Sequence, residues 1–285
     1  MQVKKKAALP TASGARKVNV YSMEGEAKGE IILPAVFNYE FRPDVIRKAV
    51  VAAEANRRQV YAPAPRAGMR HVAFWPGEGM GMARTPRKNH GSGAGAQVPN
   101  TPGGRRAHPP KVAKIYGKVM NRKENALAKK SALAACADAE TVKTRGHRFK
   151  DGITLPIVLE DSFEELSKKI DDKYKSLNEA PQYVKDASKI LENIGVLEDV
   201  ERAQDGVHVR SGRGKMRNRR LRRPKSVLVV VSDRKVIERC FRNIAGVEVA
   251  SPRELSVEML APGGDPGRLM VISKKALEQL QGVAK

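Results

Sequence analysis

Gly77, Gly79 and Gly81, within HVAFWPGEGMGMARTPRKNHGSGAGA at 71–96, have the spacing that opens a phosphate cradle. Such a cradle needs, in order, a buried strand, a tight glycine turn and a helix whose N-terminus faces the phosphate. Position 82, where the third glycine of G-x-G-x-x-G falls, is Met82, and no G-x-x-x-x-G-K-[ST] match is present. Pro86 and the alternation of Gly, Ser and Ala up to Ala96 leave no apolar period for a following helix. No cofactor is expected on this loop.

Catalytic sets are equally sparse. The adjacent acids Glu164 and Glu165, and Asp171 and Asp172, fall on helical patterns where neighbours in sequence do not face each other, so they read as solvated faces. His147 and His208 sit beside Arg148 and Arg210 in loops, and no serine occupies a G-x-S-x-G elbow. Cys136 and Cys240 are far apart, without a Cys-x-x-Cys or a histidine at ligand spacing, so neither a metal nor a disulfide is indicated. Both read as small core groups in a reducing, cytoplasmic setting. Neither a signal peptide nor an apolar run near the roughly twenty residues of a membrane span is expected. An enzyme is not expected.

What remains is positive charge, and it is concentrated. The 285 residues carry a net +23. Residues 57–115 hold eleven Lys or Arg against one acid, Glu78, and residues 207–225 hold nine with none. In VHVRSGRGKMRNRRLRRPKS, residues 207–226, the groups Arg210, Arg213, Lys215, Arg217, Asn218, Arg219, Arg220, Arg222, Arg223 and Lys225 offer planar forks for phosphate oxygens and flat faces for unstacked bases. A nuclear or heparin-binding tract has a similar composition. Placement between two α/β stretches favours a site held against a fixed surface.

Residues 57–115 contain eight prolines and nine glycines, few branched aliphatics and no sustained period. A structureless stretch of this length is either functional or disordered. It reads as a disordered linker or as an arm that orders on a polyanion. Its candidate contacts are Arg57, Arg58, Arg66, Arg70, His71, Trp75, Arg84, Arg87, Lys88, Arg105, Arg106, His108, Lys111 and Lys114. Run out and back, it reaches at most about 100 Å, against a radius of gyration of about 17 Å for a body of this size.

The near-neutral remainder, residues 1–56, 116–206 and 226–285, must position these segments. Ile46, Ala49, Val50 and Ala53 mark a helix after Pro43. Asn121 suits the cap of a helix running through Thr141, with Leu127, Ser131, Ala134, Ala135 and Val142 on its small-residue stripe. LPIVLED at 155–161 reads as a buried strand ending in an acid that caps the next helix, whose stripe is Phe163, Leu166, Ile170 and Tyr174. Another helix shows Tyr183, Ala187, Ile190, Leu191 and Ile194. SVLVVVSDRKVIERCF repeats strand, cap and helix at 226–241, and Val247–Ala250, Leu269–Ile272 and Lys274–Leu280 add two strands and a last helix. The pattern predicts an α/β fold: a mainly parallel, Rossmann-like sheet covered by helices, with a long extended internal arm.

Several of these stretches also carry a resemblance. GKMRNRR at 214–220, FRNIAGVEV at 241–249 and LAPGGDPGRL at 260–269, with RRAHPPK, SALAA and RGHRF in the same order, resemble the archaeal and eukaryotic branch of the ribosomal large-subunit protein L-four family. The resemblance extends from KAVVAAEANRRQ at 48–59 to the end. It implies a structural constituent of the large subunit, partnered by large-subunit rRNA, with an α/β body on the subunit's outside. Its arm would thread into rRNA and its tip would help line the peptide exit tunnel beside the L-twenty-two family protein. It implies neither a homo-oligomer nor a membrane partner. Family members carry an aromatic, then Gly, Ser or Thr, Gly and Arg near the tip. This chain instead reads FWPGEGMGMAR, so the tunnel-lining candidates are Gly79, Met80, Gly81, Met82 and Arg84. The alternatives are a stand-alone nucleic-acid-binding regulator and a nucleotide-dependent enzyme.

Overall fold

The computed structural model describes residues 16–89, 91, 93–164 and 182–283. The described residues form two compact units, one drawn from 16–53 and 119–283 and one from 54–118. In chain order the strands are β1 (Lys17–Tyr21), β2 (Ala27–Ile32), β3 (Ala73–Phe74), β4 (Arg87–Lys88), β5 (Ile157–Leu159), β6 (His208–Val209), β7 (Leu221–Arg222), β8 (Leu228–Val230), β9 (Glu248–Ala250) and β10 (Met270–Ser273). Among the described residues, six of them form one sheet in the order β2-β1-β5-β10-β8-β9. Only the β1–β2 pair is antiparallel; β1–β5, β5–β10, β10–β8 and β8–β9 are parallel.

The parallel strands are buried on both faces, which is why they are nearly continuous aliphatic runs. Alternate residues feed two separate cores. Val158, Leu228, Val230, Met270 and Ile272 pack with Ile46 and Val50 of the Pro43–Asn56 helix, Leu133 of the Arg122–Cys136 helix and Leu277 of the Lys274–Val283 helix. Ile157, Leu159, Val229, Leu269 and Val271 pack with Leu191 of the Gln182–Asn193 helix and Ile237 and Phe241 of the Arg234–Phe241 helix. Phe163 and Phe241 meet at 5.5 Å between ring centroids, tilted by 53°. Each fully buried aliphatic side chain contributes roughly 1.5–3 kcal/mol. The mainly parallel, helix-covered sheet is the one the sequence pattern predicts.

Helix boundaries follow from capping side chains. Asn121 Oδ1 accepts from the Lys123 amide at 3.2 Å and Asp233 Oδ1 from the Lys235 amide at 3.1 Å. The helix expected from Asn121 through Thr141 is broken: it ends at Cys136, and Asp138 caps a second helix, Ala139–Thr144, by accepting from the Thr141 amide. A short acceptor side chain competes for amides better than it continues a helix, so Asp138 starts a new one.

Two acids near β5 make contacts that the sequence pattern does not show. Asp161 Oδ1 accepts from the Lys275 amide at 2.9 Å, so it caps the Lys274–Val283 helix, while the helix expected to follow it in sequence lies largely outside the described residues. Glu164 does not lie on a solvated face. Its carboxylate accepts from the Ser232 amide at 2.6 Å, from the Ser232 hydroxyl, and from the Ser273 hydroxyl at 2.5 Å. Glu165, Leu166, Ile170, Asp171, Asp172 and Tyr174 lie outside the described residues, as does the side chain of Tyr183.

Candidate nucleic-acid interface

The basic segment at 207–225 folds into a hairpin. β6 and β7 pair antiparallel, with His208 opposite Arg222 and Val209 opposite Leu221. The turn between them is a 3-10 segment, Arg213–Met216, and the Arg217 and Arg219 amides both donate to Gly214 O, at 3.1 and 3.2 Å. Asn218 adopts a left-handed backbone, φ 58°, which Asn tolerates better than most side chains, so part of its role is to turn the chain. The Arg210 amide donates to Arg220 O at 2.8 Å, and Arg210 Nε to Arg219 O at 3.3 Å.

This backbone bonding sets a dense array of cations in solvent. Arg213, Lys215, Arg217, Arg219, Arg220, Arg222 and Arg223 are exposed and make no ion pair with any described residue. Like charges brought this close repel one another, and an anionic partner relieves that repulsion while counterions are released from it. Lys225 is different, since its Nζ is paired with Glu248.

The hairpin is fixed at its foot by buried charge. Arg268, fully buried, donates from Nε to Ser226 O at 2.8 Å, from Nη1 to Glu248 Oε2 at 2.6 Å and Met259 O at 2.9 Å, and from Nη2 to Val227 O at 3.4 Å and Gly246 O at 3.3 Å. Burial works against the Glu248 carboxylate, yet Arg268 and Lys225 hold its pKa below the usual value. On the neighbouring Leu197–Asp205 helix, Arg202 Nη2 donates to Lys225 O at 3.0 Å and its Nε to Asp199 Oδ1 at 2.9 Å.

Asp199 is itself wholly buried. Both of its oxygens lie 3.0 Å from His147 Nδ1, and Oδ1 also accepts from the Arg148 amide at 3.1 Å. Burial alone would raise its pKa, but the hydrogen bonds from His147 and Arg202 together with the charge beside it lower it to about 2. Burial pushes the pKa of His147 down, further than the Asp199 carboxylate lifts it. His147 lies in a loop, as expected from the sequence, but its side chain is a core group, because a carboxylate fifty-two positions away satisfies its ring nitrogen. Nothing in the spacing of the two residues signals that pairing. Cys136 and Cys240 are buried thiols outside any disulfide, and burial pushes the Cys136 thiol up to about 12.

The second unit, residues 54–118, holds two two-residue strands and a scatter of turn and loop bonds among its described residues. At its root Asn56 Oδ1 accepts from the Lys118 amide at 2.9 Å, and Arg58 lies over the Tyr116 ring at 4.3 Å, with Lys114 at 5.3 Å. Farther out β3 and β4 pair, Ala73 opposite Lys88 and Phe74 opposite Arg87. The Lys88 amide donates to Ala94 O at 3.1 Å and the Ala96 amide to Pro86 O at 2.7 Å. The glycine run lies between the two strands. Gly77, Gly79 and Gly81 have φ of 77°, 77° and 62° with nothing within 4 Å of a built Cβ, so they turn the chain without crowding it. Among the described residues no helix follows them before Arg122.

The predicted arm contacts thus divide by environment. Arg66, Arg70, His71, Arg105, Arg106, His108 and Lys111 are exposed. Trp75, Met80 and Met82 are exposed as well. Arg84 pairs with Glu78 at 3.0 Å, both exposed. Arg87 turns inward, Nη1 donating to Gly93 O at 2.9 Å and Nη2 to Ala83 O at 3.3 Å, so it shapes the turn region and has less to offer a phosphate. Among the described residues there is no cluster of three or more His, Cys, Asp or Glu side chains able to hold a metal, and no helix is long and apolar enough to cross a membrane.

Residues 31–283 match the Ribosomal protein L4/L1 family. Proteins named Large ribosomal subunit protein uL4 are similar over most of the chain. That of Thermoplasma acidophilum is 45% identical over 267 residues, covering 94% of this chain and 98% of its own. That of Halorubrum lacusprofundi is 44% identical over 261 residues, 92% and 97% of the two chains, and that of Methanocaldococcus jannaschii 44% over 265 residues, 93% and 98%. A family match across most of its length, with archaeal relatives aligned nearly end to end, means that this chain belongs to the Ribosomal protein L4/L1 family.

Proposed function

We propose that this protein is a structural constituent of the large ribosomal subunit, binding large-subunit rRNA through two basic elements: the hairpin at 207–225 and the arm at 57–115. It acts in translation and subunit assembly as a scaffold, not as an enzyme, and resides in the cytoplasm as part of the subunit. The observation that carries this is the hairpin, in which seven cations stand in solvent with no ion pair to the described residues, on a foot clamped by the buried Arg268. Such an array favours a polyanion whose phosphates replace released counterions. The exposed Trp75 and the flanking arginines of the arm suit stacking and phosphate contact in packed RNA. The arm's far end, Gly79–Arg84, lines the exit tunnel next to the L-twenty-two family protein in this reading.

Sedimentation of the native protein with large subunits tests it. The chain stays with the large-subunit peak after a high-salt wash. Release from the subunit by that wash, or recovery only as a free protein, overturns the assignment and leaves a stand-alone regulator.

A further inference from the structure

The loop 145–150, RGHRFK, lies outside both basic segments and alternates strictly in its side chains. Arg145, His147 and Phe149 turn inward. Arg145 donates to Pro262 O at 2.9 Å, His147 binds Asp199, and Phe149 lies under Lys143 at 5.4 Å. Arg148 and Lys150 turn outward, are exposed, and make no ion pair with any described residue.

The backbone that carries these two cations is tightly held. The His147 amide donates to Val142 O at 3.3 Å, the Arg148 amide to Asp199 Oδ1 at 3.1 Å and the Lys150 amide to Gly195 O at 3.1 Å. Gly195 permits that approach: a Cβ there would lie 2.8 Å from Lys150 Cβ, and its φ is 79°. Holding two like charges outward on a rigid loop gains nothing for a protein in water, and their release would ease the repulsion.

The same buried carboxylate that receives the Arg148 amide also receives Arg202, whose other nitrogen donates to Lys225 O at the end of the basic hairpin. Asp199 therefore fixes loop and hairpin to one point. We propose that Arg148 and Lys150 form a further phosphate-binding element, contacting the backbone of the same RNA that the hairpin binds, in a register set by Asp199. This rests on the rRNA-binding reading above.

The test compares three full-length variants with wild type in salt titrations against purified large-subunit rRNA. Arg148→Gln with Lys150→Gln is expected to weaken binding and lower the slope of log affinity against log salt by about 1.5, the loss of two phosphate contacts. Arg148→Lys with Lys150→Arg retains the wild-type slope. Arg217, Arg219 and Arg220 replaced by Ala reports on the hairpin alone. If the hairpin variant loses slope and the Gln pair does not, the loop proposal is overturned while the rRNA reading stands. If neither loses slope, both fall. A slope change accompanied by a lowered melting temperature in the Gln pair marks a structural effect and also counts against the loop.

Discussion

Arg268 and Glu248 meet beneath the hairpin, Nη1 to Oε2 at 2.6 Å, with the guanidinium fully buried and the carboxylate one-third exposed. That single side chain also satisfies four main-chain carbonyls, of Ser226, Val227, Gly246 and Met259. Replacing it removes a charge partner and every one of those donors.

Arg268→Met is accordingly expected to destabilise the protein by about 3 kcal/mol, the lower part of the range for breaking a buried pair because Glu248 retains some solvent. Arg268→Lys does not restore it, since an ammonium lacks the planar fork that reaches both strand ends. Urea midpoints measure the loss. A midpoint within error of wild type for the Met variant would refute the clamp.

Stability should fall on acidification in two stages. His147 has a lowered pKa in the fold, so it charges more readily when unfolded, and stability declines as pH drops below the unfolded value of about 6.5. Asp199, at about 2 in the fold against 3.8 unfolded, contributes on the order of 2 kcal/mol above pH 4, lost as pH falls toward 2. His147→Gln removes the first stage and shrinks the second, because His147 supplies one of the bonds that lower the Asp199 pKa while Arg202 and the Arg148 amide still hold the carboxylate. Unfolding midpoints from pH 8 to pH 3 for both proteins check this, and an unchanged decline between pH 7 and 5 in the variant would exclude His147 as its source.

Within the arm, hydrogen exchange of the isolated protein is expected to separate two classes of amide. Lys88 and Ala96, bonded to Ala94 O and Pro86 O, exchange more slowly than Gly79–Met82, for which no backbone bond is seen among the described residues. Equal, fast exchange at Ala96 and Gly79 would show that the pairing of the two strands is absent in solution.

Deleting Glu78–Ala83 is expected to leave subunit assembly nearly normal, because Arg70, Arg105 and Arg106 lie outside the deletion and Arg84 is freed from Glu78. Passage of nascent chains and sensitivity to tunnel-binding inhibitors change. Ribosome profiling and inhibitor titration check this: wild-type stalling with wild-type inhibition removes the tunnel role, and failure to assemble reassigns the tip to rRNA folding.

The sheet was legible because parallel strands buried on both faces are continuous aliphatic runs, as in SVLVVV, followed by an acid that caps. The β1–β2 hairpin was not, since AKGEII forms an exposed edge with no apolar face to betray it. Charge counts marked residues 57–115 and 207–225 as basic, but they did not show that the second segment folds as a hairpin. Burial of His147, the inward turn of Arg87 and the three bonds to Glu164 depend on contacts between residues distant in sequence or on the path of a loop, and no local spacing encodes them.

Glu164 gives the sheet an unusual chemical outcome. Open parallel sheets present their ligand crevice at the carboxyl ends of the strands, where hydroxyls and free amides greet a phosphate. At the ends of β8 and β10 those groups are Ser232 and Ser273, and a tethered carboxylate from the segment after β5 has already taken them. The chain carries its own resident anion at that edge, and any nucleotide arriving there would meet like charge and donors already spent.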